Sequence, residues 1–145
     1  MKRCLIADQS EVIRKIARIY LEQLSCETVE ADDGDTALDV MLNGSVSAVL
    51  LDWCLPGKTT IEILSALRFS GMQQRPLIVY LTSENDPSDI RKMLAAGADT
   101  YLIKPFDRTS FLETMANAGV VAPSQAHMPP PGAPYGSPAT RQLSY

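Results

Sequence analysis

Four polar residues close four short apolar runs in this chain. Asp8 follows Cys4-Leu5-Ile6-Ala7, Asp52 follows Ala48-Val49-Leu50-Leu51, Thr82 follows Leu77-Ile78-Val79-Tyr80-Leu81, and Lys104 follows Tyr101-Leu102-Ile103. Continuous apolar runs of this length mark parallel strands covered on both faces, and ligands of such sheets collect at the carboxyl ends of the strands. The four ends would pool two carboxylates, a hydroxyl and an ammonium. Neighbouring carboxylates repel, and a hard divalent cation such as Mg2+, which prefers oxygen ligands, relieves the repulsion and invites phosphate. A carboxylate can itself be the nucleophile toward a phosphoryl group, giving an aspartyl phosphate. Lys104 would balance charge on the transferred group while Thr82 hydrogen-bonds it.

The elements that must position these residues alternate between strand and helix. Cys4 to Ala7 reads as a strand, and Ile13, Ile16, Ala17, Tyr20 and Leu24 recur at helical spacing behind a Ser10 cap. Thr28 to Ala31 predicts a second strand. The next helix starts at Asp33 or Asp35, carries Ala37, Leu38 and Met41, and stops at Asn43-Gly44. The third strand ends at Asp52, after which Thr59 and Glu62 have capping-box spacing ahead of Ile63, Leu64 and Leu67, with Gly71 as the stop. Leu77 to Leu81 predicts a fourth strand, and Asp86-Pro87 with Asp89 starts a helix that Gly97 closes. Tyr101 to Ile103 predicts a fifth strand, and Asp107 caps a last helix through Phe111, Leu112 and Met115 to Gly119.

Alternation of this kind implies right-handed crossovers and helices on both faces of a parallel sheet. The expected fold class is α/β, a flavodoxin-like (βα)5 doubly wound sheet with strand order 2-1-3-4-5. In that order the first and third strands adjoin at the topological switch point, so Asp8 and Asp52 open into one crevice. The domain is expected to span 1–121. From Ala122 onward the composition changes, with six of the chain's ten prolines among Gly, Ser and Ala. Residues 122–145 therefore read as a disordered tail that cannot bury enough apolar surface to offset its conformational entropy. His127 in that tail has no ligand cluster around it.

At 145 residues and 46% apolar content, the chain suits one globular domain. A net charge of -4 and a pI near 4.9 offer no electrostatic footprint for nucleic acid or an anionic membrane surface. No apolar stretch approaches a membrane span, and Met1-Lys2-Arg3 leads straight into a strand with no cleavable apolar region. A cytoplasmic location is expected. Cys4, Cys26 and Cys54 are odd in number with no CxxC pairing, and read as small buried hydrophobes.

Together these residues resemble the receiver domain of two-component response regulators, specifically the stand-alone type found in chemotaxis. The resemblance covers Met1 to about Val121 and rests on Asp8, Asp52 followed by Pro56, Leu81-Thr82-Ser83, Tyr101, and Lys104-Pro105-Phe106. It implies that Asp52 is the phosphoacceptor, supplied by a phosphohistidine on a histidine kinase or phosphotransferase. Mg2+ would be held by Asp8, Asp52 and the backbone carbonyl of Cys54. Thr82 and Lys104 would bind the phosphoryl group, Thr82 and Tyr101 would shift inward as a switch, and the Lys104-Pro105 bond would be cis. Cys54 and Glu84 would border the path of attacking water and tune phosphate lifetime. Only self-phosphorylation and autodephosphorylation chemistry is implied, with no conventional enzyme activity. Output would pass to a downstream protein target through the surface of the fourth helix, fifth strand and fifth helix, around Ile90, Tyr101 and Phe111. No DNA-binding output domain is expected, and dimer formation on activation is left open. Val12, Ile16 and Ile19 in the first helix form a strip suited to a kinase or phosphotransferase helix.

Some positions depart from the family pattern. Receivers usually carry two consecutive acids after the first strand, and here the second is Gln9, so the pocket loses a charge and Gln9 is expected to be a weak Mg2+ ligand or none. The loop Pro56-Gly57-Lys58-Thr59-Thr60 lacks the frequent acid and glycine pair. Gln9 motivates one alternative, a receiver-like interaction module not regulated by phosphorylation. A second alternative takes Asp52 to Thr59, DWCLPGKT, as a nucleotide-binding loop. There, however, Asp52 would stand at the first glycine and Pro56 would remove a backbone donor.

Overall fold

The computed structural model describes residues 2–120, so the tail of 122–145, with His127 and Pro129-Pro130-Pro131, lies outside the described residues. Strand and helix alternate as β1 (Arg3–Ala7), α1 (Glu11–Gln23), β2 (Glu27–Ala31), α2 (Gly34–Leu42), β3 (Ala48–Asp52), α3 (Thr60–Arg68), β4 (Leu77–Thr82), α4 (Pro87–Ala96), β5 (Thr100–Ile103) and α5 (Arg108–Ala118). The strands form one parallel sheet in the order β2-β1-β3-β4-β5, the flavodoxin-like arrangement. Its register fixes the site. Ala7 pairs with Leu51, so Asp8 and Asp52 leave neighbouring strands at the same level. Thr82 pairs with Ile103, which puts Lys104 one residue beyond the end of β4.

The inner strands β1, β3 and β4 are almost continuously apolar because both faces of the sheet are covered there, whereas the edge strand β2 carries Glu27, Thr28 and Glu30. Cys4, Ile6, Leu50, Val79 and Leu81 pack with Ala17 and Leu21 of α1 and Phe111, Leu112 and Met115 of α5. The alternate residues Leu5, Ala7, Val49, Leu51, Ile78 and Tyr80 pack with Ala37 and Met41 of α2, Ile63 and Leu67 of α3 and Met93 of α4. Strand periodicity of two assigns each residue to one layer or the other.

Helix starts follow the capping residues. Ser10, Asp33, Thr59, Asp86 and Asp107 each accept a backbone N–H from the first turn, and Thr59 with Glu62 completes a capping box. Each such cap satisfies a backbone N–H that the first helical turn leaves without an intrahelical partner. Asp33, not Asp35, caps α2. The end of α3 differs from expectation: Phe69 is its C-cap, and Gly71, with φ of 77°, turns the chain two residues later. No described helix is long and apolar enough to cross a membrane.

The loop after β3 is held against the start of α2. The Gly34 N–H donates to the Pro56 carbonyl at 2.9 Å, and a Cβ on Gly34 would collide with the backbone carbonyl of Lys58. Gly57, with φ of 79°, faces the Asp35 carboxylate. Gly34→Ala is expected to lower stability by about 1–3 kcal/mol, the usual cost of overpacking. A urea midpoint equal to that of the parent would show that the loop yields without cost.

Candidate functional site

Asp8 and Asp52 meet in the crevice at the carboxyl ends of β1 and β3, and both are buried. Lys104 lies between them. Its Nζ donates to Asp8 Oδ2 and to Asp52 Oδ1, each at 2.9 Å. The Lys104 backbone is fixed by its N–H to the Thr82 carbonyl at 2.8 Å, and the Lys104-Pro105 peptide is cis. Asp8 Oδ1 accepts the Ser10 N–H at 2.8 Å, so the residue that caps α1 also orients the first carboxylate. On its other side, the Asp8 carbonyl accepts Arg14 Nη1 at 2.7 Å. Arg14 in turn pairs with Glu30 of β2 at 2.9 Å, a support that sequence reasoning missed.

One ammonium facing two carboxylates leaves a formal excess of one negative charge. Burial, together with the Asp8 charge, raises the Asp52 pKa above the ordinary 3.8, although the Lys104 hydrogen bond and the Cys54 backbone N–H work the other way. Burial opposes the charge on Lys104, but its hydrogen bonds to Asp8 and Asp52 outweigh that and raise its pKa. The pocket thus stabilises positive charge between its carboxylates.

Among the described residues, no group of three or more His, Cys, Asp and Glu side chains converges on a metal position. A cation here would draw on a mixed set: the Asp8 and Asp52 carboxylates and the backbone carbonyl of Cys54. These are hard oxygen donors in an undercompensated anionic pocket, and they fit Mg2+. Gln9 does not present an oxygen to Cys54. Its Nε2 donates to the Cys54 carbonyl at 2.8 Å, across the mouth of the crevice.

The remaining expected residues divide. Thr82 is fully buried at the end of β4, but its hydroxyl is engaged in its own loop, accepting the Glu84 N–H at 3.1 Å and donating to the Glu84 carbonyl at 3.3 Å. Tyr101 is 41% exposed on β5 and lines a cavity of about 440 Å³ with Phe106, Ser110 and Thr114. Glu84 is exposed. Two expectations need correction. Cys54 is exposed, because it lies past the strand end in a loop, whereas Cys4 and Cys26 are buried. The residues that locate the output face are the second: Ile90 and Phe111 are buried on the core stripes of their helices, so of the three only Tyr101 can belong to the exposed face of α4, β5 and α5. Sequence reading also missed the hydrogen bond of 2.7 Å from the Tyr80 hydroxyl to Asp89, which ties β4 to the first turn of α4.

The segment DWCLPGKT does not form a phosphate cradle. Lys58 Nζ lies 3.8 Å from Asp35, Thr59 is occupied as the α3 cap, and the Pro56 carbonyl faces α2. The nucleotide-binding alternative is not favoured.

The response regulator receiver domain matches residues 4–116. The chain belongs to this family. This receiver is 33% identical over 105 residues to the chemotaxis protein CheY of Pseudomonas aeruginosa, a match covering 72% of this chain and 85% of that protein. It is also 33% identical over 105 residues to the phosphate regulon transcriptional regulatory protein PhoB of Escherichia coli, covering 72% of this chain and 46% of PhoB. The receiver thus spans about half the length of such curated relatives. Among solved structures, the chemotaxis response regulator CheY4 of Vibrio cholerae superposes with a TM-score of 0.75 at 28% identity, over 81% of this receiver and 98% of that chain. Phosphorylation and Mg2+ are typical of receivers, which interact with histidine kinases and downstream targets.

Proposed function

We propose that this receiver takes a phosphoryl group from a phosphohistidine onto Asp52 and signals through protein–protein contact. The observation that carries the reading is Lys104, whose single ammonium bridges two buried carboxylates at 2.9 Å each. An Asp52 carboxylate oxygen attacks phosphorus, the P–N bond breaks, and its electron pair stays on the imidazole nitrogen. The products are an acyl phosphate on Asp52 and free histidine. Mg2+ held by Asp8, Asp52 and the Cys54 carbonyl would neutralise charge on the phosphoryl oxygens. Lys104 moves its hydrogen bond from Asp52 Oδ1 to a phosphoryl oxygen. The Thr82 hydroxyl leaves Glu84 to donate to another, and Tyr101 follows inward as the switch. Cys54 and Glu84, both exposed beside the site, bound the approach of hydrolytic water.

The donor partner is a histidine kinase or histidine phosphotransferase. Val12 is 66% exposed and Ile19 is 41% exposed on α1, which starts directly behind Asp8, so an apolar strip adjoins the acceptor. Beryllofluoride with Mg2+ tests the reading through amide chemical shifts. Shifts spreading from Asp52 to Thr82 and Tyr101 are the expected result, and an unchanged spectrum would favour the interaction module that works without phosphorylation.

A further inference from the structure

Gln9 connects the two loops that frame the crevice. It follows Asp8 directly, and its Nε2 reaches the Cys54 carbonyl at 2.8 Å across 45 residues of sequence. A carbonyl oxygen can only accept, so the NH2 end of the carboxamide must face it. The oxygens of the crevice are thus hydrogen-bonded from within the chain, the carboxylates by Lys104 and the carbonyl by Gln9. The same carbonyl is the third oxygen assigned above to the cation. An amide N–H hydrogen-bonded to it takes up one of its acceptor directions and points partial positive charge toward a bound dication.

We propose that Gln9 is a positioning residue that clasps the Cys54 carbonyl in competition with the divalent cation, so that clasp and metal are alternative occupants of that oxygen. This rests on the reading of Cys54 as a metal donor. The substitution at this position then does more than delete a ligand. It supplies a donor that orders the loop after β3 when the metal is absent, and sets metal affinity below that of the bare carbonyl with its two carboxylates.

Titration of the full chain with Mg2+, followed by the fluorescence of Trp53, tests the proposal. Trp53 is the chain's single tryptophan, lies between Asp52 and Cys54, and is 41% exposed. Gln9→Ala and Gln9→Leu both remove the donor, and Leu keeps most of the bulk. Each is expected to bind Mg2+ about 2-fold to 10-fold more tightly than the parent, the range given by losing one competing hydrogen bond. The side-chain NH2 resonances of Gln9 in the parent should lose their hydrogen-bonded shift as Mg2+ is added. Weaker binding in both variants would show that Gln9 serves as a ligand through Oε1, and unchanged binding would show that the clasp does not compete. Either result overturns the clasp. If Mg2+ binds neither parent nor variants, and Gln9→Asp does not restore binding, it is the metal reading of the pocket that fails.

Discussion

Replacing Lys104 with Met should cost about 3–5 kcal/mol at neutral pH, the usual penalty for removing one partner of a buried charge cluster. Asp8 and Asp52 would then face each other in a pocket where each side chain is no more than 2% exposed, with no cation between them. Against a total stability of about 5–15 kcal/mol, a loss on this scale is plain in a urea titration. Two dependences separate charge from packing. Acidification protonates Asp52, whose pKa is raised by burial, and should shrink the deficit, and added Mg2+ should stabilise Lys104→Met more than the parent. A deficit unchanged by acid and indifferent to Mg2+ would mean that the lysine stem packs and its ammonium counts for little.

Asp52→Asn should abolish phosphoryl uptake while making the protein more stable. The first effect follows because a carboxamide cannot form the acyl phosphate. The second comes from electrostatics. Asp52 is a weaker acid in the fold than the ordinary 3.8, through burial and the nearby Asp8. A raised value favours folding below the unfolded pKa, and that favour is lost as pH rises through the folded one. At neutral pH the charged side chain is therefore a net burden, and Asn relieves it. Lys104 keeps its partner Asp8. Melting temperature should rise by a few degrees at pH 7, and the advantage should fade below about pH 4. A lower melting temperature at pH 7 would show that the Lys104 pair outweighs the repulsion.

Much of the site could be read from the chain because it sits where local pattern and topology coincide. The runs ending at Asp8, Asp52 and Lys104 are strands of fixed register, and the order β2-β1-β3-β4-β5 brings the first two ends together. Ser10, Thr59 and Asp107 were legible as caps because capping needs only residues three apart. Contacts between loops were not legible. The Gln9 to Cys54 hydrogen bond, the backbone seat of Gly34 against Lys58 and the Tyr80 to Asp89 bond join separate loops or a strand to a helix start, which no periodicity encodes. The exposure of Cys54 and the burial of Ile90 and Phe111 were missed for a related reason. Apolar character alone does not tell a loop tip from a core stripe or a helix face that meets a partner.

The most direct measurement is intact and fragment mass spectrometry after incubation with acetyl phosphate and Mg2+. The expected result is one phosphoryl group per chain, located on Asp52, absent from Asp52→Asn and diminished when Mg2+ is chelated. A phosphoryl group found on another residue, or an unmodified chain under conditions where Mg2+ binds, would contradict the assignment of Asp52 as the acceptor.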